Sequence, residues 1–280
     1  MRLCIIGNSH VAALRRAWAQ HPGRWADICP TFVAAPRSLL LHTKVEGGYL
    51  VPTALATRQA LQRLSGIASL DLSAQDLFVV VGGSMTLLTA VQPYRDARWP
   101  GLPSVADCPD LACLRQQLIS KNAAQAIVCA ILSQRLGAQL AMRLRAGTSC
   151  PIFLAEQPRL SDGVLTMRHP AARLHKIAIR SGDAAAIARL FETAAIAALA
   201  PSGTRFLPQP AQSLSQQLFT ASRYMIGSEM LGPDRGALHD RDDIAHANAS
   251  YGALVLDQIM AALMVTDRHS DQAKATSGSA

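Results

Sequence analysis

Aromatic residues make up only 5% of this 280-residue chain, and lysine occurs four times against 23 arginines. So few aromatics leave little from which to build the stacking platforms that hold single-stranded nucleic acid, which argues against a nucleic-acid partner. Neither G-x-x-x-x-G-K-[ST] nor G-x-G-x-x-G occurs, so nothing in the chain spells a nucleotide-cradling loop. The six cysteines (Cys4, Cys29, Cys108, Cys113, Cys129, Cys150) form no C-x-x-C pair. That spacing argues against a zinc site and for free thiols in a reducing cytoplasm, with no metal and no cofactor expected. The opening apolar run Leu3–Ile6 closes at Gly7, too short for the core of a secretory signal. The longest charge-free stretch, Leu77–Tyr94, contains Gly82, Gly83, Ser84, Gln92 and Pro93, so it reads as a buried strand leaving into a loop. No membrane span is expected there.

What is present suits a large core. Half of the residues are hydrophobic and 16% are charged, a composition that folds. The net charge of +8 is spread, with 13 basic against 7 acidic residues up to position 140 and 14 against 12 beyond it. Arginine-rich surface can steer acidic ligands, but no basic arm stands out.

Short apolar runs alternate with amphipathic ones. Leu3–Ile6 reads as a buried strand, and Val11, Leu14, Ala17 and Trp18 recur at helical steps until Pro22-Gly23. Ile28–Ala35 is a second strand, Leu55–Leu64 an amphipathic helix, and Leu77–Val81 a third strand before Gly82-Gly83. Ala90–Asp110 has no period and reads as a long surface excursion. Leu114–Arg145 is helical with a break near Gly137, Pro151–Ala155 a strand, Asp183–Leu199 a helix, and Arg205–Leu207 a short strand. Ala247–Val265 closes the chain as an amphipathic helix, and 266–280 is a polar tail expected to fray. The order predicts one α/β domain over 1–265 with a mostly parallel sheet.

In such sheets the working residues stand at the carboxyl ends of strands. After the first strand come Gly7-Asn8-Ser9-His10. Ser9 there is either a nucleophile beside helix-end N–H groups or the helix cap that serine most often is. A serine nucleophile needs a base. Near the other chain end, Asp243 and His246 are three apart, a spacing that lets a carboxylate orient an imidazole; each also has an ordinary reading, as a cap and as a surface histidine. Asp242 with His239 is a second acid–base pair nearby. His10 is too close to Ser9 in sequence to serve as its base, and Gln157 is a candidate substrate contact at a strand end.

Taken together, Gly-x-Ser-His after the first strand and Asp-x-x-His-x-Asn before the last helix resemble the SGNH (GDSL-like) hydrolase superfamily. The resemblance rests on about a dozen residues at the two ends. It implies a flavodoxin-like three-layer α/β/α domain, Ser9 as nucleophile, His246 as general base and later acid, and Asp243 as its orienting carboxylate. It also implies an oxyanion hole made by the Ser9 N–H, a glycine after the second strand (Gly48, or Gly47) and a Gly-x-Asn after the third. The last block departs from the family. Gly82-Gly83-Ser84 places Ser84 where the family has Asn, so Gly83 and Ser84 are the candidates there, and Asn8 replaces the first-block Asp.

The function so implied is an ester hydrolase, or an acyl transferase of the same mechanism, acting on a small-molecule or glycan ester of carbohydrate or lipid type. The alternative is an SGNH-like binding protein that has lost turnover and recognises a glycan or protein partner.

Overall fold

Five strands form the centre of the computed structural model, which describes residues 1–167, 169–232 and 237–277. They are β1 (Arg2–Gly7), β2 (Cys29–Ala34), β3 (Leu77–Val81), β4 (Ile152–Ala155) and β5 (Arg205–Leu207). All neighbouring pairs are parallel, and the spatial order is 2-1-3-4-5. That order is the flavodoxin-like one, whose topological switch point lies between β1 and β3.

The strand sequences are apolar on both faces because helices cover both. Leu3, Ile5, Leu77 and Val79 point to one side, where α1 (Val11–Gln20) and the closing helix α8 (Ala249–Ser277) pack. Cys4, Ile6, Phe78 and Val80 point to the other, under α2 (Leu55–Ser65), α3 (Leu88–Tyr94), α4 (Lys121–Ser133), α5 (Leu136–Gly147) and α7 (Ala184–Leu199). A further helix, α6 (Pro170–Arg180), precedes α7. The molecule is thus a three-layer α/β/α domain. With the turn that follows it, α7 (Ala184–Ser202) is long and apolar enough to match a membrane span by composition, yet Ile187, Leu190, Phe191, Ala194 and Ala195 on its inner side are buried in the core.

Several elements differ from the sequence expectation. Residues 90–110 are not a loose excursion: Tyr94, Trp99 and Leu102 are buried, and Tyr94 donates to Asp183 at 2.6 Å. The Arg98 guanidinium lies over the Tyr94 ring at 3.6 Å, a cation–π contact that anchors the segment. The helical stretch before β4 is two helices, parted at Gln134-Arg135 rather than at Gly137. A three-stranded antiparallel sheet, Thr43–Glu46, Tyr49–Pro52 and Leu70–Asp71, is inserted between β2 and β3. The closing helix runs on through Ser277, where the polar composition predicts fraying, and 278–280 lie outside the described residues.

Candidate active site

The turn after β1 is short because the first two helical carbonyls are already in place: Asn8 accepts from Val11 N–H and Ser9 from Ala12 N–H, both at 3.1 Å. His10, not Ser9, occupies the cap position of α1, and no side chain caps it. The Ser9 hydroxyl is therefore not spent on capping. Its Oγ lies 3.0 Å from His246 Nε2.

His246 arrives from the far end of the chain, just before α8. Asp243 builds the turn that presents it: Oδ1 accepts the N–H groups of Ala245 (2.7 Å) and His246 (2.8 Å). Oδ2 takes His246 Nδ1 at 2.9 Å. A carboxylate only accepts, so the proton sits on Nδ1 and Nε2 is free to receive the serine proton. Burial alone would raise the Asp243 pKa, but the hydrogen bonds from His246 and Ala245 outweigh it and hold the carboxyl below its usual range. Asn248 closes the segment. Its Oδ1 accepts from Tyr251 N–H at 3.2 Å, and its Nδ2 donates to the carbonyls of Arg223 and Ile226. This is an N-cap tied to the neighbouring loop.

Two more imidazoles flank His246. His239 stacks on it with centroids 3.9 Å apart and planes 7° from parallel, and its Nδ1 is 3.3 Å from Asp243 Oδ2. Asp243, not Asp242, is thus the carboxylate beside His239. Burial, then the neighbouring His246, lowers the His239 pKa. His10 lies on the other side at 5.2 Å and 23°. Burial pushes its pKa down to about 3, so it stays neutral. His239, Asp243 and His246 each offer one ligand atom within 4.8 Å of the others, a donor set that a divalent transition ion could use. Both Nδ1 atoms face Oδ2: that of His246 is hydrogen-bonded to it, and that of His239 lies at ion-pair distance.

The expected oxyanion residues are placed unevenly. Gly82 faces the Ser9 turn: a Cβ there would meet Asn8 Oδ1 at 2.5 Å and His10 Cδ2 at 2.8 Å, and φ is +74°. Only glycine allows β1 and β3 to leave the sheet so close together. Gly83 sits one step away, its carbonyl accepting from Gly137 N–H at 2.9 Å. Ser84 is exposed with φ of 62°, and its N–H donates to Gln157 Oε1 at 3.0 Å. Gln157 therefore anchors this turn. Among the described residues the N–H groups of Ser9, Gly82 and Gly83 have no protein acceptor.

Gly48 is not part of the site. It lies in the hairpin turn between Thr43–Glu46 and Tyr49–Pro52, and its carbonyl accepts from Leu72 N–H at 3.0 Å. Helix α5 spans the separation: Gly137 near its start touches Met85, and Gly147 at its end lies against Leu72 and Val45. Ten residues of helix cover about 15 Å, so Gly48 and Gly47 belong to the opposite end of the sheet from Ser9. Directly after β2 the chain reads Ala35-Pro36-Arg37-Ser38, which has no glycine; Arg37 takes the left-handed conformation there (φ 54°).

Set beside known proteins, the chain matches no family model, no curated protein and no solved structure.

Proposed function

We propose that this protein is a serine ester hydrolase, or an acyl transferase of the same mechanism. One observation carries the reading: Ser9 Oγ, His246 and Asp243 stand in line at 3.0 and 2.9 Å, joined across 237 residues of sequence at the switch point of the sheet. Two such contacts in the correct tautomer are the arrangement a serine nucleophile needs.

In this reading Ser9 Oγ attacks the acyl carbon while His246 Nε2 takes its proton. Asp243 stabilises the imidazolium by its bond to Nδ1. The N–H of Ser9 and those of the Gly82-Gly83 turn receive the oxyanion. His246 then returns the proton to the leaving alcohol. Water, or a second alcohol such as a sugar hydroxyl, resolves the acyl-enzyme with the same base. The substrate class is a small-molecule or glycan ester.

A binding protein that has lost turnover is the second reading. It is favoured by Ser84, which stands where the superfamily it resembles has an Asn donor and whose own N–H is occupied by Gln157. The two are separated by incubation with a fluorophosphonate probe and with p-nitrophenyl acetate. A hydrolase is labelled on Ser9 and turns over the ester, and Ser9→Ala abolishes both. A folded protein that neither labels nor turns over is the binder.

A further inference from the structure

We propose that His239 is a positioning residue for His246, so that Asp243 serves two imidazoles at once; this deepens the hydrolase reading and rests on it. Nδ1 of His239 faces the same Oδ2 that bonds His246 Nδ1, at 3.3 Å against 2.9 Å. The rings lie flat on one another at 3.9 Å. The backbone fixes His239 there, its N–H donating to the Ser228 carbonyl at 2.9 Å. Its other nitrogen, Nε2, is buried without a partner. That fits a ring whose proton is on Nδ1, pointed at the carboxylate. The side chain is 13% exposed, and its work is to restrict its neighbour.

Turning the His246 ring about its own axis would drive it into His239 on one side and His10 on the other, so Nε2 stays aimed at Ser9 Oγ. Positional precision of this kind carries a large share of catalysis. The charged and titratable groups around His239 are His246, Asp243, Asp242 and Asp240 from its own loop, His10 from the turn after β1, and His169 across the adjoining cavity.

The experiment uses three variants of the full chain, each checked for folding by circular dichroism. His239→Phe keeps a flat ring and removes Nδ1. His239→Asn keeps an N–H donor near the Nδ1 position and removes the ring. His239→Ala removes both. Ser9 labelling by the fluorophosphonate is measured from pH 5 to 8.5, kcat and KM are measured on p-nitrophenyl acetate, and histidine side chains are observed by ¹⁵N NMR. His239→Ala lowers kcat and the labelling rate roughly 10- to 100-fold, the usual cost of losing an orienting partner, with KM little changed. The Phe and Asn variants each recover part of the loss. Wild-type rates in His239→Ala would overturn the proposal. If wild type itself fails to label, the hydrolase reading falls, and the NMR signal decides the positioning separately. A His246 Nδ1–H that exchanges faster in His239→Ala upholds it, and one that is unchanged overturns it.

Discussion

Gly252, in the first turn of α8, packs against the backbone of α1: a Cβ there would come within 2.1 Å of the Ala13 carbonyl oxygen. Ser9 stands just before α1 and His246 just before α8, so this contact holds in place the two side chains that the proposed reading makes nucleophile and base. Gly252→Ala forces the helices apart, and overpacking of a tight contact costs about 1–3 kcal/mol. The expected outcome is a lowered urea midpoint together with a loss of esterase activity of about 10²-fold, the order a 1 Å misplacement brings. Unfolding and p-nitrophenyl acetate turnover on the same preparation check both.

Ser9→Ala and His246→Ala each remove nearly all activity, by about 10⁴- to 10⁶-fold, and the double variant is little worse than either. Groups that act as a unit cannot be lost twice. Asp243→Asn disturbs the same unit through the tautomer, because an amide can offer a donor to Nδ1 and leave the proton on the wrong nitrogen. Retention of a tenth of wild-type turnover by His246→Ala would show that another group is the base.

Much of this site is readable without coordinates, and the reasons are local. β1 and β3 are short runs buried on both faces, bounded by glycine, which leave few alternatives. Asp243 and His246 lie within one turn of each other, so their contact comes from spacing. Whether Ser9 caps a helix or faces an imidazole depends on what approaches it from residue 246, and only the fold brings that residue in. The hairpin at Thr43–Pro52 is hidden because Thr-Lys-Val-Glu is short and polar, and its Gly47-Gly48 turn imitates an oxyanion glycine. His239 had a visible signal, since His-x-x-x-Asp-x-x-His places two imidazoles four and three residues from one carboxylate. Its pairing with Asp243 rather than Asp242 depends on the turn that Asp243 itself caps.

Ser84→Asn is expected to fold like wild type and to raise kcat on simple esters. Position 84 has a left-handed backbone (φ 62°), which asparagine tolerates better than other non-glycine residues. The bond from its N–H to Gln157 is made by the main chain and survives the change. An added amide donor near a developing oxyanion is worth about 1–3 kcal/mol, roughly tenfold to a hundredfold in rate. Steady-state kinetics beside a Ser84→Ala control measure it. A loss of activity in a folded Ser84→Asn protein would remove this turn from the oxyanion hole.

Acid stability depends on His10, whose ring is buried and whose Nδ1 has no partner. Burial lowers its pKa from 6.5 to about 3 in the folded protein, so the unfolded chain binds a proton that the folded one refuses. Stability is then full above pH 6.5 and falls as the pH drops toward 3. Between pH 7 and 5 the loss from this one group is about 2 kcal/mol, at roughly 1.4 kcal/mol per unit below the unfolded pKa. Asp243 has the same sign, but its lowered pKa acts only as the pH falls below the ordinary carboxylate range, outside this interval. His10→Phe keeps a flat ring between Gly82 and His246 and removes the titration. Urea unfolding of both proteins at pH 7 and pH 5 isolates the effect, and the variant loses about 2 kcal/mol less than wild type between the two conditions. Equal losses would mean that His10 takes up its proton without leaving the folded state.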